Sequence, residues 1–360
     1  MPRRNLTIAS PMRCRMPAEW EPHAATWLAW PHNGEDWPGK FEPIPWVYAE
    51  IVRNLARHEP VELIVNDAAS EKRARKVLQQ ANALNENIRF HRWLTDRVWT
   101  RDTGCTFVRC GAGAIAREQP MQAVTWRFNA WAKYSNYKRD EKISALMAKA
   151  TSAEAFQPHY KKRPVVLEGG SIDVNGKGSL LTTEECLLSK VQQRNPGMKK
   201  ADYERVLSKY LGIRNVVWLK SGIAGDDTHG HVDDLTRFVS PDTVVTVVES
   251  DPRDPNYELL RENLRRLRAA IDQDGTPLSI IELPMPSPVI FEGRRLPASY
   301  ANFYLANGLV LVPVFNDPND RFALDILADL YPDRDIVGIY CGDLVWGFGT
   351  IHCMTQQQPA

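Results

Sequence analysis

The sequence has almost no excess of either charge. Its 360 residues include 45 Lys and Arg against 44 Asp and Glu, which gives a net charge of +1, and no stretch gathers the basic residues into a stripe. Proteins that bind nucleic acid present such a basic surface to the phosphates. The composition therefore excludes a nucleic-acid partner.

The sequence also lacks long apolar runs. No stretch approaches the length that a membrane-spanning helix needs. The first twenty residues, MPRRNLTIASPMRCRMPAEW, carry early arginines but no apolar run of signal-peptide length. We therefore expect a cytoplasmic protein without membrane contact.

Paired cysteines are absent as well. The six cysteines, at 14, 105, 110, 186, 341 and 353, form no CxxC pair, which disfavours a zinc ribbon. In a reducing compartment all six are expected to remain thiols. Cys353, directly after His352 and near the end of the chain, is then either a packed thiol or a nucleophile.

Short apolar runs rich in β-branched residues alternate with amphipathic stretches along the whole chain. The runs predict buried strands, and the amphipathic stretches predict helices. Predicted strands are Val61–Val65, Val165–Leu167, Val216–Leu219, Val244–Val248, Leu278–Leu283, Leu309–Val314 and Ile336–Ile339; predicted helices are Ser70–Ala83, Asp140–Ala150, Lys199–Leu211, Asn256–Ile271 and Asp320–Leu330. The glycine-rich GxGxxG turn of a Rossmann fold is missing, and no long linker divides the chain. The pattern favours small α/β modules within one domain, residues 1–360.

The segment DRVWTRDTG, residues 96–104, packs two carboxylates, two arginines and a tryptophan just before an apolar run. A solvated loop accounts for such a cluster. The alternative is a recognition surface in which Trp99 supplies a flat face and Asp102 a charge that binds a cation.

The segment LEGGSIDV, residues 167–174, places a carboxylate at the end of an apolar run and follows it with two glycines. The glycines permit a tight turn or the close approach of another group to the backbone. Glu168 is predicted either to point into a site or to pair with a nearby arginine in a structural turn.

The segment GDDTHGHVDD, residues 225–234, is the densest polar cluster of the chain. His229, His231 and Asp233 alternate along it and offer N and O ligands for a metal ion. The same segment suits proton transfer, because a carboxylate such as Asp233 orients a histidine such as His231 and shifts its pKa.

The segment WGFGTIHCMTQQQ, residues 346–358, brings a glycine-punctuated loop to Cys353. Backbone N–H groups around such a loop would lower the pKa of the thiol and make it reactive. A buried, inert cysteine is the alternative.

Cysteine and histidine together suit attack of a thiolate on an electrophilic carbon. The carboxylates of Asp102, Asp233 and Glu168 would raise the pKa of that thiol and repel an oxyanion, so they make sense only around a cationic substrate. A guanidinium fits, because it is planar and presents forked N–H donors to carboxylates on either side. Attack by Cys353 would release ammonia with a proton from His231, and water would then release a ureido product. No metal or organic cofactor is needed.

At these same residues the sequence resembles the agmatine deiminases and bacterial peptidylarginine-deiminase-like proteins of the guanidine-modifying superfamily. The resemblance covers nearly the whole chain and is carried by MPAEWEPHAATWLAWP (16–31), WTRDTG (99–104), WRFNAW (126–131), LEGGSIDVNGKGSLLTTEECLLS (167–189), RNPGM (194–198), GDDTHGHVDD (225–234), ASYANFYLANG (298–308) and IHCMTQQQP (351–359). It implies an α/β fold, a five-bladed pseudo-symmetric propeller (the pentein fold) of ββαβ-type modules around a narrow central site.

The resemblance also implies a role for each site residue. Cys353 is similar in position to the family's nucleophile, and His231 to its general acid and base. Asp102 and Asp233 match the guanidinium clamps, and Glu168 matches the acid that contacts the histidine and a substrate nitrogen. Trp99 would wall the substrate channel, and Asp227 would meet the far, amine end of the substrate.

Four positions depart from the family pattern. His229 stands where many relatives have Asp or Asn, Cys105 replaces a proline, residues 346–349 replace a more glycine-rich loop, and Ala132-Lys133-Tyr134 follows Trp131 in place of glycines. These departures leave the Cys, His and acid set whole and affect the substrate more than the reaction.

The activity that the resemblance implies is hydrolysis of agmatine to N-carbamoylputrescine and ammonia through an amidino-thioether on Cys353. The partner is then a small cationic guanidine, and kinship favours a homodimer. Arginine, peptidyl-arginine or another alkylguanidine is an alternative substrate. A metal-dependent hydrolase centred on His229, His231 and Asp233, and a non-catalytic module that captures cations, are alternatives of a different class.

Overall fold

The computed structural model describes residues 13–111 and 120–360. Residues 1–12, part of the stretch used above to exclude a signal peptide, lie outside the described residues. In these two ranges no helix has the length and apolar character to cross a membrane.

The described strands are short and most are buried. In chain order they are β1 (Arg13–Arg15), β2 (His23–Ala29), β3 (Val61–Val65), β4 (Ile88–Arg92), β5 (Thr106–Gly111), β6 (Met121–Val124), β7 (Glu154–Phe156), β8 (His159–Tyr160), β9 (Arg163–Pro164), β10 (Asp173–Val174), β11 (Ser179–Thr183), β12 (Asn215–Leu219), β13 (Thr236–Phe238), β14 (Thr243–Val248), β15 (Ser279–Pro284), β16 (Ile290–Phe291), β17 (Arg294–Arg295), β18 (Tyr304–Ala306), β19 (Leu309–Val314), β20 (Asp335–Tyr340) and β21 (Gln356–Pro359).

Nine α-helices lie in the described ranges; the six with eight or more residues connect parallel strands, and the other three are short. They are α1 (Ile44–Leu55), α2 (Ala68–Gln80), α3 (Thr100–Thr103), α4 (Ile143–Ala150), α5 (Glu184–Leu188), α6 (Lys200–Leu211), α7 (Asn256–Arg268), α8 (Asn319–Leu330) and α9 (Ile351–Met354). Side chains cap two of them: Asp67 accepts from the backbone N–H of Ser70 at the start of α2, and Thr183 accepts from that of Cys186 in α5. Such caps satisfy backbone donors that the first helical turn leaves free.

One ββαβ unit recurs five times in the described chain. In each unit the middle strand pairs antiparallel with the strand before it and parallel with the strand after the helix. The units are β5-β6-α4-β7, β10-β11-α6-β12, β13-β14-α7-β15, β18-β19-α8-β20 and β21-β2-α1-β3. The α/β fold of ββαβ modules predicted from the sequence is therefore confirmed.

The fifth unit joins the two ends of the described chain. Its antiparallel pair is β21 against β2, with Gln356 opposite Trp27, and its parallel pair is β2 against β3. Strand β4 extends this sheet, and β1 extends the sheet of the first unit by pairing with β5. The ring of modules is thus closed by strands that lie far apart in sequence.

The predicted strands and helices largely match the structure. Val61–Val65 and Leu309–Val314 coincide with β3 and β19. The predicted strand Val165–Leu167 is wrong, because only an isolated bridge joins Val166 to Arg127. Instead, Asn195 Oδ1 accepts from the backbone N–H of Val166 at 2.9 Å, and Asn195 Nδ2 donates to the C=O of Val166 at 2.7 Å.

The expectation that all six cysteines remain thiols is also wrong. Cys14 in β1 lies directly opposite Cys110 in β5, and the two form a disulfide. No sequence motif signals this pair, because 96 positions separate the two residues and only the pairing of β1 with β5 brings them together. Cys353 is a free thiol, together with the buried Cys105, Cys186 and Cys341.

Candidate active site

The segment just before the first strand of each module supplies the polar centre of the protein. Each of these segments makes a short turn or helix and then enters its strand within a few residues. Because the modules are arranged alike, equivalent segments meet at one place. The side chains they contribute are Asp102 before β5, Glu168 before β10, His231 and Asp233 before β13, Asn302 before β18 and Cys353 before β21.

The structure brings together the five residues for which the sequence predicts chemistry. His231 lies between the acids, with Nδ1 3.9 Å from Asp102 Oδ2 and 4.0 Å from Asp233 Oδ1, and with Nε2 3.8 Å from Glu168 Oε2. The sulfur of Cys353 lies 3.7 Å from Asp233 Oδ2. All five side chains are buried.

A glycine allows these groups to approach one another. A Cβ atom on Gly170 would lie 2.5 Å from His231 Nδ1, 3.0 Å from Asp233 Oδ2 and 3.1 Å from Asp102 Oδ1. The backbone N–H of Gly170 instead donates to Asp102 Oδ1 at 3.0 Å. The close approach predicted for the LEGG segment is therefore present, and any side chain at this position would push the site apart.

Glu168 is held as a charged carboxylate. Burial alone would raise its pKa, but Arg194 donates from Nε to Oε1 at 3.1 Å and its charge, with a smaller contribution from His231, lowers the pKa to about 2. Both side chains are fully buried. The two interpretations of Glu168 are thus combined, since one oxygen pairs with an arginine and the other faces His231.

Asp233 is anchored by a buried ionic network. Burial raises its pKa, but the hydrogen bond from His352 Nδ1 at 2.7 Å and the charges around it lower the pKa below the usual value. The other ring nitrogen of His352 lies 2.8 Å from Glu19, and Glu19 pairs with Arg101 and Arg237. This chain of contacts fixes the position and the charge of Asp233.

Asn302 holds the segment that carries Cys353. Its Nδ2 lies 3.2 Å from the sulfur and 2.9 Å from Asp234 Oδ1. Its Oδ1 accepts from Thr350 Oγ1 at 2.7 Å and from the backbone N–H of His352 at 3.0 Å.

The thiol of Cys353 is less acidic than the loop sequence predicts. Burial raises its pKa well above the usual value, and the charges of Asp233, Asp234 and Asp102 raise it further, against a smaller opposite effect of Asn302. The expectation of a lowered pKa is wrong for the protein without substrate. The expectation that neighbouring carboxylates oppose ionisation is confirmed.

A cavity of about 290 Å³ leads from the surface to Cys353 and Asp102. Aromatic side chains form much of its wall: Trp99, Trp131, Tyr134 and Phe348. Trp131 also donates from Nε1 to Asp102 Oδ2 at 2.8 Å. A Cβ on Gly349 would lie 2.8 Å from the Trp99 ring and 3.0 Å from the Cys353 Cβ, so this glycine lets the tryptophan pack against the loop before the cysteine. Trp99 thus lies at the channel wall, where the resemblance places it.

Asp227 also lines the cavity, but its carboxylate already has three partners. It accepts from Lys133 Nζ at 2.5 Å, from the Tyr134 hydroxyl at 2.6 Å and from Arg294 Nη2 at 3.2 Å. An acid expected to meet a substrate amine is therefore paired with two cations of this chain.

His229 does not join the other residues of the proposed metal set. Its ring contacts Ser189 at 3.1 Å and lies 3.7 Å from Glu185. Within the described ranges, two groups of side chains lie close enough to share an ion, Glu168 with Cys186 and His231, and Asp233 with Asp234 and Cys353. Neither group corresponds to the set of His229, His231 and Asp233.

The residues that support the site were missed at the sequence level. Arg194, Asn302, Glu19 and His352 all lie in the segments that carry the family resemblance. Nothing in their local sequence shows that they are buried and face the catalytic cluster. Only the ring of modules places them behind Glu168, Cys353 and Asp233.

Comparisons with known proteins agree over nearly the whole chain. Agmatine deiminase of Pseudomonas aeruginosa (strain LESB58) is 36% identical over 369 residues, which cover 96% of this chain and 95% of the relative. The solved structure of agmatine deiminase of Enterococcus faecalis superposes with a TM-score of 0.87 at 30% identity and covers 98% of both chains. A C. jejuni agmatine deiminase with substrate bound superposes with a TM-score of 0.84 at 26% identity and covers 97% of both chains. The sequence pattern of the Porphyromonas-type peptidyl-arginine deiminases matches residues 15–359, and the chain therefore belongs to that family.

Proposed function

We propose that the protein is a guanidine hydrolase, an agmatine deiminase that converts agmatine and water to N-carbamoylputrescine and ammonia. The observation that carries the proposal is a set of buried polar atoms around the reactive sulfur. Glu168 Oε2, Asp233 Oδ1 and both ring nitrogens of His231 have no hydrogen-bond partner among the described residues. Buried polar atoms without partners are costly, and a planar cation with several N–H donors satisfies acceptors on more than one side.

The substrate charge enables the first step. The guanidinium lies between Asp102, Asp233 and Glu168 and offsets the carboxylate charges that raise the pKa of Cys353. The thiol faces Asp233 Oδ2 in the protein without substrate, and its proton passes to solvent through the cavity as the guanidinium binds. The thiolate then attacks the guanidinium carbon, and a C–S bond forms as one C–N double-bond pair moves to nitrogen.

His231 supplies the proton for the leaving group. Burial disfavours its charged form, but Asp102, the neighbouring Cys186 and Glu168 raise its pKa well above the usual value, which favours the protonated ring that the leaving group needs. It donates that proton to a nitrogen of the tetrahedral adduct, the C–N bond breaks, and ammonia leaves. An amidino-thioether remains on Cys353.

Water completes the reaction. The neutral His231 removes one proton from water, the hydroxide attacks the amidino carbon, and the C–S bond breaks to restore the thiolate. Loss of the remaining hydroxyl proton to solvent gives the neutral ureido product. Cys353 is the nucleophile, His231 the acid and base, and Asp102, Asp233 and Glu168 the clamps; Trp99 and Asp227 line the substrate path. No step in this scheme requires a cofactor.

We also propose, as parts of the same function, one catalytic domain over residues 1–360, a cytoplasmic location, a homodimer and no nucleic-acid partner. The small-molecule substrate is in keeping with the named relatives. The single domain is supported by a site whose side chains come from residue 19 to residue 353. The near-neutral charge supports the absence of a nucleic-acid partner.

The test is ammonia release from agmatine, with Cys353→Ala and His231→Ala as variants and Cys105→Ala, at a buried thiol outside the cluster, as the matched control. We expect the first two variants to lose turnover with little change in melting temperature, and mass spectrometry to find an adduct on Cys353 in the wild-type protein. Turnover by Cys353→Ala that chelators abolish would instead support a metal-dependent hydrolase. Binding of agmatine without ammonia release would support a cation-binding module.

A further inference from the structure

Two cationic side chains flank the cavity wall at Asp227, where a small dicationic substrate would not need them. Lys133 and Arg294 come from separate segments of the chain and both contact Asp227 in the cavity wall. Lys133 lies 5.4 Å from the Tyr134 ring centroid, and Arg294 lies 4.0 Å from that of Phe348. Both rings and Asp227 line the cavity, so the two partly exposed cations flank its wall, and we call this flanking region the rim.

Asp227 does not neutralise this group. One buried carboxylate faces two cations, and the Tyr134 hydroxyl donates to its remaining oxygen. The Lys133 and Arg294 side chains are 36% and 51% exposed, whereas that of Asp227 is 7% exposed. The group therefore carries one surplus positive charge, and its unused N–H donors are open to solvent at the rim.

A third cation, Arg97, lies in the same wall. Its guanidinium donates to Asn136 and lies 4.5 Å from the Tyr134 ring centroid, and its nearest acid is Asp36 at 3.6 Å. Burial, opposed by Arg97, raises the pKa of Asp36 to about 7. Asp36 is therefore only partly charged near neutral pH and compensates Arg97 incompletely.

We propose that the outer end of this cavity binds a carboxylate, so that the enzyme also hydrolyses guanidino carboxylic acids, with 5-guanidinopentanoate as the simplest of them. The proposal rests on the proposed function, because it uses the same sulfur and the same guanidinium clamp. That acid has the tether of agmatine but ends in a carboxylate where agmatine has an ammonium. Lys133 and Arg294 attract the carboxylate and repel the ammonium.

The reaction is the same hydrolysis. The guanidinium carbon of the acid bonds to sulfur, ammonia leaves with the proton of His231, and water gives 5-ureidopentanoate. The carboxylate takes no part in bond making; it contributes binding energy at a distance from the reacting carbon, which raises kcat/KM.

One acid in the same cavity favours an ammonium end group instead of a carboxylate. Glu35 lines the cavity and is exposed, so it offers a place for the ammonium of agmatine. Arginine carries both end groups. The substrate panel therefore contains agmatine, 5-guanidinopentanoate and arginine, which present the ammonium, the carboxylate and both.

The experiment measures ammonia release from the three substrates by the full-length wild type and by Lys133→Met, Arg294→Gln and Lys138→Met. Lys138 is the matched control, because it lies on the same segment as Lys133 but pairs with Glu141. Each of the first two substitutions should lower kcat/KM for 5-guanidinopentanoate roughly fivefold, the upper range for a partly exposed ion pair, and raise that for agmatine. Lys138→Met should change neither.

A fourth variant tests the sign of the charge effect. Asp227→Asn removes the acid that partly offsets the two cations, so it should raise kcat/KM for 5-guanidinopentanoate and lower it for agmatine. The inference is overturned if the wild type hydrolyses agmatine but not the acid, or if the rim variants change both substrates alike. Failure to hydrolyse any guanidine would instead overturn the proposed function.

Discussion

Replacing Asp233 by Asn should make Cys353 more reactive towards a neutral reagent while it slows catalysis. In the wild type the carboxylate lies 3.7 Å from the sulfur and is one of the charges that raise the pKa of the thiol. Two unit charges at this separation interact by about 4 kcal/mol at an effective dielectric constant of about 20. Removing one of them therefore favours the thiolate.

The expected gain in reactivity is smaller than that energy implies. His352 bonds to Asp233 and already takes up part of its charge. A less basic thiolate is also a weaker nucleophile, which cancels about half of the gain on a logarithmic scale. We expect Asp233→Asn to react with iodoacetamide at neutral pH about tenfold faster than the wild type, whereas its kcat/KM for agmatine falls by at least about tenfold because a guanidinium clamp is lost.

The assay is the rate of alkylation of Cys353 by this neutral reagent, followed by mass spectrometry so that the other free cysteines are counted separately. Asp227→Asn is the matched control. This acid lines the same cavity but is not among the charges that raise the pKa of Cys353. An alkylation rate for Asp233→Asn at or below that of the wild type would refute the assignment of electrostatic control to Asp233.

Four further predictions concern the support of the site and the fold. Asn302→Ala removes the donor 3.2 Å from the sulfur, so kcat/KM should fall by about 10- to 100-fold, the value of a hydrogen bond to a charged group, and the alkaline rise in Cys353 alkylation should move to higher pH. Arg194→Met leaves the buried Glu168 without its cation and should lower the free energy of unfolding by about 3–5 kcal/mol in urea titrations, whereas a double variant with Glu168→Gln should recover stability but not turnover. The folded-state pKa of Glu168 lies below its usual value, so the ionised carboxylate contributes stability above about pH 4.5. This contribution should be lost as the pH falls toward about 2. The unfolding free energies of the wild type and Glu168→Gln should therefore converge over that range. The disulfide between Cys14 and Cys110 closes a loop of 96 positions, so its reduction should lower the free energy of unfolding by up to about 4 kcal/mol and lower the melting temperature. We expect kcat to stay unchanged. Loss of turnover on reduction, at a temperature where the fold persists, would contradict this.

Local pattern was sufficient to predict most of the regular structure. The apolar runs at β3 and β19 match the strands residue for residue, because each strand is buried by its own module and its sequence reflects that burial. Val165–Leu167 shows the limit of this reasoning. Its residues are buried, yet the backbone N–H and C=O of Val166 form hydrogen bonds with the side chain of Asn195. No local pattern encodes a partner from so distant a segment.

The predicted site could be identified because its residues combine unusual chemistry with the motifs of a known family. Asp102, Glu168, His231, Asp233 and Cys353 each lie beside a strand in a polar or glycine-rich segment, and the structure brings them together. The charges and pKa shifts of these side chains could not be predicted. They depend on partners distant in sequence, such as Arg194 for Glu168 and His352 for Asp233.

The same reasoning explains what was missed about Asp227. Its position in the cavity wall followed from the motif before the histidine, but its carboxylate is already paired with Lys133 and Arg294. Those two residues lie in segments whose sequences vary from the family pattern or carry no motif. Specificity was thus the property least accessible from the sequence.

The pairing of β21 with β2 sets the order in which a newly made chain can become active. The strand that follows Cys353 finds its partner near the opposite end of the chain, and the backbone N–H of Ala360 also bonds to Pro22. A polypeptide still emerging from the ribosome can form the four preceding modules, which are local in sequence, but it lacks the sulfur and the strand that locks the ring. Reactivity therefore appears only after the segment with Cys353 and β21 has been synthesised, and a nascent chain that holds the acids but not the sulfur cannot modify the guanidines around it.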